Sequence, residues 1–99
     1  MSLRIGVDKR RLAEFCRKHN IRKLAFFGSV LRNDFGPSSD VDVLVEFEPG
    51  MEPGFFRLAG MELELSGILG FNADLRTPED LSKRFRREVI ADALVQYGD

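Results

Sequence analysis

Apolar residues first recur at helical spacing after Asp8: Leu12, Phe15, Cys16 and His19 fall on one face, and Asn20 ends the run. Asp8 is a good N-cap for that helix. The stretch RKLAFFG then reads as a short buried strand stopped by Gly28. Residues Ser29 to Asn33 are expected to form a short helix, and Asp34 to Ser39 a loop with a Gly-Pro turn. Alternation is clearest from Asp40 to Phe47, with Val41, Val43, Val45 and Phe47 on a core face and Asp40, Asp42, Leu44 and Glu46 on the other. EPGMEPG is a loop by composition. Phe55 to Leu69 predicts a helix whose apolar face holds Phe55, Leu58, Ala59, Leu65 and Leu69, with Phe56 and Leu63 beside them. FNADLRT predicts a third strand. Thr77 then caps a last helical region, with Pro78 at its first position and an apolar face of Leu81, Phe85, Val89, Ile90, Ala93 and Leu94.

The element order is therefore α-β-α-β-α-β-α. The unit from Asp40 to Arg76 is long enough for a right-handed parallel crossover, whereas the Gly28-to-Asp40 connection suits an antiparallel pair. The expected fold is α/β (α+β), a small mixed β-sheet with flanking helices. The length, 99 residues, suits a single domain spanning 1–99.

Charge narrows the function classes. A net charge of −1 offers no electrostatic case for nucleic-acid binding by the whole chain. No apolar run reaches membrane-spanning length, and the N-terminus lacks the apolar region of a signal peptide. With Cys16 as the one cysteine, no internal disulfide forms, and a cytoplasmic location is expected.

The candidate chemistry lies at the mouth of the second strand. Asp40 and Asp42 point the same way, about 7 Å apart at Cα. Like charges that close repel, and a divalent cation turns the repulsion into attraction. Oxygen-only ligands favour Mg²⁺ or Mn²⁺ over zinc. Taken alone, a D-x-D is more often two solvated aspartates. An EF-hand loop is excluded, because Leu44 and Val45 stand where its glycine and further ligands belong. No P-loop pattern exists. Eleven residues upstream, Gly28 permits close backbone approach and Ser29 adds a hydroxyl donor at a helix start, which suits a phosphate. A plain N-cap explains an isolated Gly-Ser equally well. Arg32, one turn on, is placed to touch phosphate or to pair with Asp34.

Together these residues resemble the nucleotidyltransferase superfamily that includes DNA polymerase β, and within it the minimal nucleotidyltransferases that partner HEPN-domain toxins. The family pattern is an apolar strand, Gly-Ser, an arginine three residues later, a loop, S-D-x-D and an apolar strand. Phe26, Phe27, Gly28, Ser29, Arg32, Ser39, Asp40, Asp42 and VLVEF follow in that order. Leu31 and Asn33 depart from the small residue and glycine that often flank the arginine. The resemblance implies that Asp40 and Asp42 hold metal on the triphosphate. It also implies that Asp74 supplies the third carboxylate and that Gly28, Ser29 and Arg32 bind the nucleotide. It further implies a metal-dependent enzyme moving AMP from ATP, with Mg²⁺ or Mn²⁺, to a tyrosine hydroxyl on a HEPN toxin, so acting as its antitoxin. The alternatives are an antitoxin that binds without catalysis, and a nucleotide-binding subunit of a two-chain enzyme modifying a small hydroxyl compound.

Three other features have simpler expectations. The basic clusters around the first and last helices read as solvated faces. His19 reads as a helix-end residue favoured by the dipole. Met51, Phe55 and Phe56 read either as a partner surface or as helix-start packing.

Overall fold

The computed structural model describes residues 6–31, 35–36 and 38–98. Arg32, Asn33, Asp34 and Pro37, and with them the end of the short helix and the Gly-Pro turn, lie outside the described residues. The elements are α1 (Lys9–Lys18), β1 (Ile21–Phe27), a 3₁₀ turn (Gly28–Leu31), β2 (Val41–Phe47), α2 (Phe55–Leu69) and β3 (Ala73–Arg76). A second 3₁₀ turn (Pro78–Asp80), α3 (Lys83–Asp92) and β4 (Leu94–Tyr97) follow. The strands form one mixed sheet in the order β3-β2-β1-β4. β1 pairs antiparallel with both β2 and β4, and β2 pairs parallel with β3, as the connection lengths require.

The alternation in β2 divides the sheet into two faces. Val41, Val43 and Val45 are fully buried with Leu24 and Phe26 of β1, under Leu12, Phe15 and Cys16 of α1 and Met61, Leu65 and Leu69 of α2. On the opposite face Phe27 and Leu44 pack against Val89 of α3, with Leu81 and Ala93 at the margin. Asp8 caps α1 as expected, its carboxylate accepting from the Arg10 and Arg11 backbone N–H groups.

Two expectations are corrected. The last helical region is not one element. Leu81 is extended, and Ser82 starts a new helix by accepting from the Phe85 N–H. Ala93 is extended again, so Leu94 leaves the helix and pairs with Phe26 in β4. The open edge of β1 offers backbone hydrogen bonds that three further helical residues would forgo. The buried face of α2 is also different. Met61, Leu65 and Leu69 are buried, while Phe55, Phe56 and Leu63 are 91%, 98% and 76% exposed, and Ala59 is exposed too. Apolar residues occupy both sides of this helix, so spacing alone selects neither. Phe55 and Phe56 thus do not pack at the helix start.

α2 also closes the outer edge of the sheet. The Ser66 hydroxyl accepts from the Ala73 N–H (2.9 Å), and the Glu62 carboxylate accepts from the Leu75 N–H (2.8 Å). Both donors lie on β3, an edge strand whose outward N–H groups otherwise lack partners.

His19 is more than a helix-end residue. Its Nε2 lies 3.0 Å from Glu64 Oε1 on α2, and Lys18 Nζ lies 3.2 Å from the same carboxylate. The His19 hydrogen bond, with help from Lys18, holds the Glu64 carboxyl below its ordinary value despite some desolvation. A carboxyl lowered in the folded state stabilises the fold above its unfolded pKa, and that contribution disappears as pH falls through the folded value. Thermal stability is therefore expected to fall on acidification from pH 5 downward. Glu64→Gln should lower the melting temperature at neutral pH by about 2–5 °C and flatten the acid slope. Melting curves across pH for both proteins check this; parallel slopes would remove Glu64 from the account.

Candidate active site

Directly opposed residues on paired strands share a face. Phe27 is opposite Asp42 across β1 and β2, and Asp42 is opposite Asp74 across β2 and β3. The three side chains form a row on the face that carries α3. Neighbouring strands stand about 4.8 Å apart, so the Asp42 and Asp74 carboxylates are within reach of one ligand. Asp40 sits one residue before β2, with its backbone carbonyl accepting from the Ser29 hydroxyl at 3.1 Å.

Gly28 brings the other wall of the site in close. Its φ is +74°, a left-handed conformation that glycine adopts without penalty, and a Cβ at this position would overlap Asp42 Oδ2. Backbone thus lies directly against the carboxylate. Over Gly28–Leu31 the chain forms a 3₁₀ turn, and the Ser29 hydroxyl is engaged by Asp40. Ser29 ties the turn to the entry of β2 instead of presenting a free hydroxyl.

Burial pushes the Asp42 carboxyl above its ordinary value, and the neighbouring charges of Asp74 and Asp40 push the same way. The Ser29 backbone N–H and the Arg76 guanidinium oppose them. Asp74 Oδ2 is 3.2 Å from Arg76, and Asp40 Oδ1 accepts from Asn72 Nδ2 at 3.0 Å. Among the described residues no three acidic, histidine or cysteine side chains are gathered into a ready-made metal cluster. The donors nevertheless suit a hard divalent cation: all are oxygens, they crowd like charge, and one is partly desolvated. Asn72 and Arg76 each engage one oxygen, of Asp40 and Asp74 respectively, and among the described residues the second oxygen of each carboxylate makes no hydrogen bond.

Two concavities flank the row. One, of about 450 Å³, runs from Gly28 to α3. The other, of about 540 Å³, holds Asp40 and Asp74 beside Ala59, Glu62 and Leu63 of α2. The sequence does not single out Asn72, Glu88 or Asp92, and it marks Phe85 and Val89 only as apolar helix positions. Asn72 gives no signal there. Phe85, Glu88, Val89 and Asp92, in contrast, stand at i, i+3, i+4 and i+7, the spacing of one helix face.

A mixed sheet with paired acidic residues at the starts of two adjacent parallel strands, beside a Gly-Ser turn, defines the nucleotidyltransferase class. The chain matches the model of the nucleotidyltransferase domain over residues 9–97 and belongs to that family. A relative from Methanocaldococcus jannaschii, provisionally named a protein adenylyltransferase, is 28% identical over 93% of this chain and 97% of its own length. The protein adenylyltransferase MntA of Thermococcus cleftensis is 28% identical over 82% of this chain and 80% of its own. A solved structure provisionally described as a minimal nucleotidyltransferase superposes with a TM-score of 0.71 at 31% identity, covering 87% of this chain and 86% of that one. A chain from a toxin–antitoxin crystal structure with AMP-PNP reaches a TM-score of 0.75 at 16% identity, covering 94% of this chain and 75% of its own, a likeness of fold.

Proposed function

We propose that this nucleotidyltransferase moves AMP from ATP to a hydroxyl on a partner protein, a tyrosine of a HEPN toxin, and so acts as its antitoxin in the cytoplasm. The observation that carries the reading is the register of Asp42 against Asp74, with the Gly28 backbone pressed on Asp42. Asp40, Asp42 and Asp74 would hold Mg²⁺ or Mn²⁺. When bound, the cation neutralises charge on the triphosphate and makes the acceptor hydroxyl easier to deprotonate. Gly28 would offer its backbone to the phosphates, Ser29 would join it by exchanging its N–H bond to Asp42 for a phosphate oxygen, and Arg32 would offer a guanidinium. Asp74 borders the groove beside α2, so an acceptor hydroxyl entering there meets a carboxylate able to take its proton. The oxygen–phosphorus bond to the acceptor forms as the bond to the departing pyrophosphate breaks. The names of the relatives support protein as the acceptor class.

The experiment is label transfer. The chain is purified with its HEPN partner and given ATP labelled at the α-phosphate with Mg²⁺. Label on a partner tyrosine is the expected result; a stable complex without label would sink the catalytic reading. That second outcome describes a purely binding antitoxin. It is favoured by one observation, that Asp40 and Asp74 each already have a partner within the chain.

A further inference from the structure

β3 carries Asp74 on four residues at the edge of the sheet, and among the described residues β2 is its one strand partner. Register decides whether the carboxylate reaches the site. Asp74 stands opposite Asp42, and a slip of one residue would turn it to the other face. α2 grips β3 on both sides of that residue. The Ala73 N–H, just before Asp74, donates to the Ser66 hydroxyl at 2.9 Å, and the Leu75 N–H, just after it, donates to Glu62 Oε2 at 2.8 Å. The Ser66 hydroxyl in turn donates to the Glu62 carbonyl at 2.6 Å. One proton and two lone pairs let the hydroxyl fill both roles.

The two spacings fit. Alternate strand residues are about 6.7 Å apart, and helix residues one turn apart are separated by about 5.4 Å. The longer Glu62 side chain makes up the difference. Met61 and Leu65, beside the gripping residues in sequence, are buried in the core and fix the helix that carries the grip. We propose that Glu62 and Ser66 are positioning residues for the transfer reaction: through the two N–H groups they hold Asp74 in register with Asp42. The proposal rests on the nucleotidyltransferase reading and deepens it. Glu62 also lines the groove that holds Asp74, so its charge must be separated from its bond to β3.

The test measures AMP transfer to the HEPN partner, with amide hydrogen exchange of the full chain as a second readout. Glu62→Leu and Ser66→Ala each remove one acceptor, whereas Glu62→Gln and Ser66→Thr keep an oxygen in its place. The first pair should each lower kcat about tenfold, a fraction of the roughly 10²-fold that a misplacement of about 1 Å costs, with the KM for ATP within about twofold of native. The conservative pair should keep most of the native kcat. Exchange in the first pair should quicken at residues 73–75 and stay native in β1. Glu64→Gln is the control, on the same helix but bonded to His19 and Lys18: it should lose stability and keep the native kcat. Glu62→Gln as slow as Glu62→Leu would make the charge the active feature and overturn the proposal. Native kcat in both Glu62→Leu and Ser66→Ala, or exchange quickened throughout the chain, also overturns it and leaves the transfer reading intact. A native protein that transfers no AMP overturns the proposal together with that reading.

Discussion

Asp42→Asn is expected to abolish AMP transfer, with a loss on the order of 10³-fold or more, while the protein stays folded. The side chain is a half-buried carboxylate facing two others, so the amide keeps its shape and removes its charge. Like charges so close oppose folding when no cation is present. The variant without metal should therefore melt slightly higher than the native protein. Adding Mn²⁺ should raise the melting temperature of the native protein and leave the variant unmoved. The combination separates a functional carboxylate from a structural one, whose loss would lower both activity and stability. Transfer at the native rate in Asp42→Asn would remove the acidic row from the chemistry.

Gly28→Ala is the second large effect, and it has two independent parts. A left-handed alanine costs about 1–2 kcal/mol, or roughly 4–16 °C in melting temperature for a chain of this size. The added methyl also overlaps Asp42 Oδ2, so the carboxylate must swing aside. Misplacing a reacting group by about 1 Å costs on the order of 10²-fold in rate. Gly50→Ala is the matched control. Its φ is +80°, with nothing near enough to meet a Cβ. It should lose comparable stability and keep full transfer activity. If both variants lose activity alike, the closeness of Gly28 to Asp42 does not matter.

The directions of the β1–β2 and β2–β3 pairings were legible because each depended on a strong local pattern. Strict alternation marked β2, and the distances between strands chose antiparallel for β1–β2 and parallel for β2–β3. Asp42 and Asp74 could be assigned to strands, but their register was not readable, since a slip of one residue turns a side chain to the other face. α2 misled for a different reason. Phe55, Phe56 and Leu63 are as apolar as Met61 and Leu65, and only the packed neighbours decide which row is buried. β4 was hidden because Leu94 continues the helical spacing of α3, and its pairing with Phe26 joins residues far apart in sequence. The Gly-Ser turn was visible, but the engagement of Ser29 by the Asp40 carbonyl depends on tertiary placement.

The capping of β3 by Glu62 and Ser66 bears on how another protein could be held. An open edge strand invites an incoming chain to extend the sheet through backbone hydrogen bonds, a mode that reads little of the partner's side chains. Here two of those N–H groups are already satisfied from within. Next to the closed edge, α2 presents Phe56 and Leu63 outward, a ridge exposed among the described residues. A protein brought to the neighbouring groove would thus be gripped through its side chains, in a mode that selects by shape and not by backbone.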